Sequence, residues 1–330
     1  MYTSLPSIVF FGTPDFASAA LEYLFFKNVP IVGVVTTPDK PAGRGLNLKA
    51  SPVKQKALEL NLPIVQPQSL KDPAFIASLI AMNAEAFVVV AFRKLPAEVW
   101  QIPPKGAINL HASLLPQYRG AAPINHAIIQ GETITGLTTF FINDRIDEGH
   151  IILQKVIPIG PDDTAGDLYE KMKAEGPPLL LQTLEWIQKF GPKYARPQPS
   201  DSAPLKTAPR LTRENTRIHW EWPAAHIRNF VRGLAPQPGA WCSVPREGKP
   251  PDTWKIFQCR AEEDGSGGAP SSYTPGQLVA FGHTLKIRCY DGWIVPLVIQ
   301  QAGRKPQQNE TFLRGIHNQG FPILKKSEPT

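Results

Sequence analysis

The stretch IVFFGTPDFASAALEYLFF, residues 8–26, sets the fold of the first half of the chain. Ile8–Phe11 is a compact apolar run that Gly12 closes, which predicts a strand followed by a turn. Pro14 can occupy the first turn of a helix, and Asp15–Phe26 has helical character. A strand that passes through a turn into a helix opens a βαβ unit, so we predict an α/β fold.

The same alternation of strands and helices continues to residue 190. Phe87–Ala91 is rich in valine and apolar without alternation, as expected of a central strand buried on both faces. We therefore predict an α/β domain over residues 1–190 with a mostly parallel sheet. The other predicted strands are Ile31–Val35, Ile64–Val65, Ala107–His111, Gly136–Phe141 and Ile151–Ile157. The other predicted helices are Pro52–Leu60, Pro73–Met82, Ala122–Gln130 and the long pattern over Ala165–Phe190.

The second half has a different composition. Residues 191–209 are rich in proline and poor in large apolar residues, which predicts a semi-rigid linker. Beyond it, residues 210–330 contain one helical pattern, Ala224–Arg232, and short strand patterns broken by glycine and proline. Such strands predict a small β-barrel domain. They are Ala240–Val244, Trp254–Cys259, Gln277–Phe281, Leu285–Cys289 and Trp293–Ile299.

Charge is unevenly distributed along the 330 residues. The net charge is +7, but residues 1–190 carry 16 Lys and Arg against 17 Asp and Glu, whereas residues 191–330 carry 19 against 11. A neutral half joined to a basic half indicates one part for chemistry and one for holding a polyanion. A basic domain that is merely well solvated is the alternative.

Several classes of protein are disfavoured. No apolar run approaches the roughly 20 residues that span a bilayer, and the amino terminus lacks the features of a signal peptide. The three cysteines are widely spaced without a CxxC pair, so we expect a reducing cytoplasm and no metal site. A dinucleotide fingerprint needs GxGxxG after the first strand, and only Gly12 is present, so nicotinamide binding is disfavoured.

Candidate catalytic side chains follow the strand at 107–111. Alternate residues of a strand share a face, so Asn109, His111 and Ser113 are predicted to point the same way. By side-chain chemistry alone, Asn109 is a candidate hydrogen-bond donor to an oxyanion and His111 a candidate acid or base. Asp144 or Asp147 is then the carboxylate that orients His111. A structural histidine and a turn-forming aspartate are the alternatives.

A known family shares these residues. The string GAINLHASLLPQYRGAAPI, residues 106–124, resembles the signature of the folate-dependent formyltransferases. The further blocks are similar to the members that act on methionyl-tRNA, and the resemblance covers nearly the whole chain. These blocks are FGTPDFA (11–17), TTPDKPAGRG (36–45), SPVK (51–54), TRENTRIHW (212–220), IRNFVRGLAPQPGAW (227–241) and LVIQQAGRKPQQNETFLRGI (297–316).

The resemblance implies a fold, an activity and a site. The expected fold is a Rossmann-like formyltransferase domain with an OB-like barrel after it. The expected activity uses 10-formyltetrahydrofolate as co-substrate and initiator methionyl-tRNA as acceptor, in a monomer without a metal. Carried over by position, the triad falls on Asn109, His111 and Asp147, the folate-contacting loop on Ser113, Leu114, Leu115 and Pro116, and a tRNA contact on Arg44.

Two positions depart from the family pattern. Where relatives have Ala-Tyr-Gly, this chain has Ala91-Phe92-Arg93, which opens the segment that runs to Pro96 and helps to enclose the pterin in the family. The family's Asp-Thr-Gly is Asp147-Glu148-Gly149 here.

Other activities would fit parts of the pattern. A sugar-nucleotide N-formyltransferase, or the hydrolase domain of formyltetrahydrofolate dehydrogenase, would share the chemistry. The PAGRG loop at residues 41–45 and the basic second half favour tRNA over both. A noncatalytic RNA-binding protein would have no need of the Asn109, His111 and Asp147 trio.

Overall fold

The structure, a computed structural model, describes residues 4–42, 47–199, 204–264, 272–316 and 319–326. The chain separates into two units. The first comprises Met1–Pro123, Ile134–Pro158 and Glu170–Thr207, and the second comprises Ile124–Thr133, Ile159–Tyr169 and Ala208–Thr330. Two short segments of the first half therefore group with the second unit, although neither composition nor charge changes at their ends.

Seven strands form the sheet of the first unit. They are β1 (Ile8–Gly12), β2 (Ile31–Val35), β3 (Ile64–Val65), β4 (Ala86–Val90), β5 (Ala107–His111), β6 (Ile134–Phe141) and β7 (Ile151–Pro158). Their order is β7-β6-β5-β4-β1-β2-β3. Strands β1 to β5 are parallel, β6 is antiparallel to β5, and β7 is antiparallel to β6. The chain reverses direction across the sheet between β1 and β4, and ligands of such sheets bind at the carboxyl ends of the strands there. The predicted Rossmann-like α/β domain with a mostly parallel sheet is confirmed.

The helices form where local sequence provides a buried stripe and a cap. In α1, Phe16, Ala20 and Leu24 recur every four residues and are buried. The Ser51 hydroxyl caps α2 and the Asp72 carboxylate caps α3, in each case followed by proline at the first helical position. The helices of the first half are α1 (Asp15–Phe26), α2 (Pro52–Glu59), α3 (Pro73–Ala81), α4 (Ala97–Trp100), α5 (Pro123–Ile129) and α6 (Ala165–Phe190), the last unbroken although it contains Pro177 and Pro178.

The second unit is a curled sheet of OB-like type, as the sequence predicts. Its strands are β8 (Ala240–Arg246), β9 (Lys249–Glu263), β10 (Leu278–Phe281), β11 (Thr284–Arg288), β12 (Gly292–Gln301), β13 (Gln307–Gln308) and β14 (Ile323–Lys326). The order is β8-β9-β12-β11-β10-β14, with β13 on β12, and only the β10–β14 pair among these is parallel. Helices α7 (Ala224–Leu234) and α8 (Asn309–Ile316) contribute to its core, in which Trp254 and Phe312 are fully buried.

Some local predictions need correction. The strand β5 ends at His111, so strand alternation does not extend to Ser113, which lies in the following turn. Strand β4 ends at Val90, because Ala91 adopts a left-handed conformation with φ of 47°. Strand β9 is much longer than the predicted Trp254–Cys259, and β13, β14 and α8 have no counterpart among the predicted elements.

Short elements lie between the main ones. Lys40–Ala42 pairs antiparallel with Asn47–Lys49, two-residue strands occur at Arg119–Gly120 and Thr207–Ala208, and 3-10 turns occur at Pro192–Tyr194 and Glu214–Thr216. Across the described ranges, every helix is too short or too polar to cross a bilayer.

Candidate active site

Strand β5 places Asn109 and His111 on one face, close to its carboxyl end. Asn109 lies opposite Val89 of β4 and Phe140 of β6, and it is half-buried. His111 is 6% exposed. Among the described residues the Asn109 side chain has no hydrogen-bond partner, so its two N–H donors are available to a ligand.

The His111 imidazole lies between two acceptors. Its Nε2 is 2.9 Å from the Tyr118 carbonyl oxygen, and its Nδ1 is 3.7 Å from Asp147 Oδ2. The second distance exceeds a hydrogen bond, and Asp147 Oδ2 accepts the Gly120 backbone N–H at 3.0 Å instead. With Nε2–H donating to Tyr118, Nδ1 is the nitrogen that faces the carboxylate.

The structure distinguishes between the two candidate carboxylates. Asp147 faces His111, whereas Asp144 is exposed and its backbone carbonyl accepts a hydrogen bond from Lys94. Asn109, His111 and Asp147 thus belong to one site, although β5 and the turn that carries Asp147 are separated by β6 in the chain.

A side chain from the predicted linker holds the Asp147 turn in place. Asp147 itself has a φ of 56°, a left-handed conformation that is uncommon outside glycine. Gln198 Nε2 donates to the carbonyls of Asp147 at 2.7 Å and Gly149 at 2.9 Å, and Gln198 Oε1 accepts from Arg119 Nη2 at 2.6 Å. Arg119 also lies 3.4 Å from Glu148, one of the two departures from the family pattern.

We expect Gln198→Ala to lower kcat by about tenfold, because small misplacements of catalytic groups are costly. The substitution removes the two hydrogen bonds that Gln198 donates to the turn and the two that it accepts from Arg119, while leaving Asp147 in the chain. Steady-state kinetics would measure the effect, with Gln300→Ala as the control, since Gln300 donates only to the carbonyl of Arg304 in the second unit. Unchanged kcat would mean that the turn does not depend on Gln198.

The loop predicted to contact folate is fastened to the two strands beside it. Thr138 Oγ1 donates to the Ser113 carbonyl at 2.7 Å and accepts the Leu115 N–H at 3.1 Å. Gln154 Nε2 donates to the Leu115 carbonyl at 3.0 Å. The Ser113 hydroxyl donates to the Gln117 carbonyl, so it stabilises the loop rather than extending the strand face. These contacts fix the loop beside the carboxyl end of β5.

The segment after β4 joins two neighbouring loops. Arg93 donates to the carbonyls of Pro67 and Gln68, which follow β3. Lys94 donates to the carbonyl of Asp144 in the turn between β6 and β7. Arg93, which stands where the family pattern has glycine, and the neighbouring Lys94 therefore connect this segment to two other loops.

The base of the loop that contains Arg44 is well fixed, whereas Arg44 itself lies outside the described residues. Asp39 accepts hydrogen bonds from Lys54 at 2.6 Å and Gln66 at 2.9 Å. These bonds hold the pKa of the Asp39 carboxyl below its ordinary value, with the Lys54 ammonium as the larger cause.

The sequence motifs marked most of this site but missed part of it. Tyr118 and Gly120 lie inside the quoted string, yet they act through backbone atoms that no side-chain pattern reveals. Nothing in the sequence marked Gln198 as a site residue, because it lies in a segment predicted to be a linker. In the described portion of the chain, His, Cys, Asp and Glu side chains form no group of three or more that could hold a metal.

The fold and site define a class of enzyme, and comparison with known proteins supports it. The model of the formyl transferase family matches residues 6–184, and the model of the formyl transferase C-terminal domain matches residues 210–317. The chain belongs to the formyl transferase family.

Named relatives specify a branch of that family. The chain is 44% identical over 309 residues to the methionyl-tRNA formyltransferase of Flavobacterium johnsoniae, covering 94% of this chain and 96% of the relative. It is 42% identical over 315 residues to the methionyl-tRNA formyltransferase of Bacteroides fragilis, covering 94% and 95%. The resemblance drawn from the sequence motifs is confirmed.

Solved structures share the fold at low sequence identity. HypX from Aquifex aeolicus, solved in complex with tetrahydrofolic acid, is 17% identical with a TM-score of 0.61 over 98% of this chain, which spans 49% of HypX. An N-formyltransferase from Helicobacter canadensis, solved with folinic acid and dTDP-3-aminofucose, is 20% identical with a TM-score of 0.60 over 89% of this chain and 98% of that protein.

Proposed function

We propose that this protein transfers the formyl group of 10-formyltetrahydrofolate to the amino group of methionyl-initiator tRNA. The observation that carries the proposal is the identity to methionyl-tRNA formyltransferases, which extends over 94% of the chain and includes both matched domains. In this proposal residues 1–190 are the catalytic domain, residues 191–209 the linker and residues 210–330 the tRNA-binding domain.

Asn109 and His111 support acyl-type transfer. As the methionine amine adds to the formyl carbon, the formyl oxygen gains negative charge. The free amide of Asn109 is placed to donate to that oxygen, and one such donor contributes about 3 kcal/mol in other enzymes. The bond between the formyl carbon and the folate nitrogen then breaks, and His111 passes the proton lost by the attacking amine to that nitrogen. The Tyr118 carbonyl orients the imidazole, and the Asp147 carboxylate, 3.7 Å from Nδ1, stabilises the imidazolium that forms while His111 holds that proton.

The folate co-substrate supplies, when bound, a formyl group on a nitrogen leaving group. The donor set fits it, since the half-buried Asn109 amide has unused N–H donors beside the fixed loop of Ser113, Leu114, Leu115 and Pro116. In this proposal that loop borders the folate, and Asn109 contacts its formyl group.

Formyl transfer to charged initiator tRNA tests the proposal directly. The purified protein is incubated with 10-formyltetrahydrofolate and either methionyl-tRNA, uncharged tRNA or an amino-sugar nucleotide. We expect product only with methionyl-tRNA. Transfer to the sugar nucleotide alone would contradict the choice of acceptor, and turnover of the folate without any acceptor would indicate a hydrolase.

The second unit carries a surface suited to a polyanion. The guanidinium carbons of Arg213 and Arg217 lie 4.8 Å and 5.7 Å from the Trp241 ring centroid, and both arginines are exposed. Arginine stacked beside a partly exposed aromatic ring is a common arrangement for contacting RNA. This cluster and the net positive charge of residues 191–330 support tRNA binding by the second domain.

We expect Arg44→Ala, and separately Arg213→Ala with Arg217→Ala, to raise KM for methionyl-tRNA while leaving folate affinity nearly unchanged. Salt dependence is the slope of the logarithm of tRNA affinity against the logarithm of salt concentration. Each lost phosphate contact should reduce the magnitude of that slope by about one unit. Lys71→Ala is the control, because Lys71 is an exposed lysine of the first unit. The same slope in wild type and variants would show that these arginines do not contact tRNA phosphates.

A further inference from the structure

The carboxyl end of α6 and the residues after it carry a row of aromatic rings with cations beside them. Trp186 and Phe190 have ring centroids 5.5 Å apart, and Phe190 and Tyr194 are 6.4 Å apart. The Lys189 ammonium lies 5.1 Å from the Phe190 centroid, and that of Lys193 lies 5.0 Å from the Tyr194 centroid. Phe190 is 43% exposed and Tyr194 57%, so large ring faces are open to solvent.

The rings border an open groove of about 630 Å³ within the first unit. Its opposite wall is formed by residues 151–154 at the start of β7, and by Arg196, Pro197 and Pro199. Among the described residues that line the groove, none carries a carboxylate. Within the described ranges, Lys189, Lys193 and Arg196 form no ion pair. The groove therefore offers flat apolar faces and the Arg196 guanidinium, and the Lys189 and Lys193 ammonium groups lie beside two of its rings.

The groove adjoins the candidate active site. The backbones of Arg196 and Ile151 exchange two hydrogen bonds of 2.7 Å and 2.9 Å. Gln198, just beyond Arg196, holds the carbonyls of Asp147 and Gly149. A molecule bound in the groove would thus lie alongside the turn that carries Asp147.

We propose that this groove binds unpaired nucleotides at the 3′ end of the aminoacyl-tRNA, an inference that rests on the proposed function. Phe190 and Tyr194 stack against bases, and Lys189, Lys193 and Arg196 contact phosphates. Unpaired RNA exposes base faces that a stem conceals, and single-stranded nucleic acid is recognised by aromatic platforms in basic grooves. The groove would guide the aminoacyl end toward Asn109 and His111.

The test compares the affinity of the full chain for two RNAs, uncharged initiator tRNA and the same tRNA without its unpaired 3′ nucleotides. We expect wild type to bind the intact tRNA about tenfold more tightly, and Phe190→Ala with Tyr194→Ala to abolish that preference. Phe26→Ala is the matched control, since Phe26 is 67% exposed on another helix of the same unit. Thermal unfolding checks that the variants are folded.

Charge provides a second measurement. The triple variant carries Lys189→Gln, Lys193→Gln and Arg196→Gln. We expect it to reduce the slope of log affinity against log salt concentration by about two units, because each phosphate contact with a single strand contributes about 0.7 to that slope. Lys71→Gln, an exposed lysine of the same unit, should leave it unchanged.

Three outcomes would overturn the inference. One is an aromatic double variant that binds intact tRNA as tightly as wild type, which would point to a protein docking face. Another is an equal loss of affinity for both RNAs, and the third is an unchanged salt slope. If wild type nevertheless formylates methionyl-tRNA, only the groove assignment fails. If wild type does not formylate it, the proposed function itself fails.

Discussion

Replacing His111 with alanine should reduce kcat by about 10²–10⁴-fold, the contribution typical of a positioned acid or base. The affinity for folate should change little, because the proposed folate loop is held by Thr138 and Gln154 rather than by His111. Single-turnover formylation together with equilibrium binding of a folate would separate the two effects.

A second variant at the same position excludes a purely structural explanation. His111→Gln can still donate to the Tyr118 carbonyl, so it should retain the fold, but it cannot relay a proton. We expect it to lose as much turnover as the alanine variant. His283→Ala, at an exposed position in the second unit, is the control. Turnover within a few-fold of wild type in both His111 variants would refute the acid/base role.

The second large effect is expected from Gly149→Ala. A Cβ at Gly149 would lie 1.6 Å from the Phe141 carbonyl oxygen and 2.8 Å from its carbon, and both are backbone atoms that no rotamer change can move. We expect a loss of about 3 kcal/mol or more in unfolding free energy, which corresponds to a fall in Tm of about 6–12 °C. Turnover should fall as well, since the Asp147 turn must shift.

Gly315→Ala tests whether that loss is specific. A Cβ at Gly315, in α8, meets nothing within 4 Å, so the substitution should leave Tm unchanged or raise it slightly. Differential scanning calorimetry would compare the two variants. Equal Tm values for the Gly149 and Gly315 variants would mean that the β6–β7 turn accepts a methyl group without loss of stability. That result would contradict the close approach of Gly149 to the Phe141 backbone.

Much of the α/β unit was predictable because its elements are short and strongly patterned. The predicted limits of α1, β2 and β5 agree with the structure, since each has a buried apolar pattern bounded by glycine, proline or a polar turn. Strand β9 was not predictable over its full length, because its first residue, Lys249, is followed by Pro250, Pro251 and Asp252, which are poor strand formers. The antiparallel pairing of this end of β9 with β8, in which Asp252 lies opposite Val244, outweighs that local preference.

The candidate site was predictable only as far as side-chain types reveal it. Asn109, His111 and Asp147 stand out as chemically useful residues in one motif and one turn. The Tyr118 carbonyl and the Gly120 N–H do not, because every residue has such groups and only the fold selects them. Gln198 is brought to the site by tertiary structure alone.

The hydrogen bonds from Gln198 to the Asp147 turn also limit how this protein can vary in length. Proline-rich connections between domains usually tolerate insertions and deletions. Here the segment between Phe190 and Gln198 is held at both ends. Phe190 is the last residue of α6, and Gln198 is hydrogen-bonded to the Asp147 turn. The length of this segment is therefore constrained. Inserting or deleting one residue within it would displace the Asp147 turn as directly as a substitution next to Asp147.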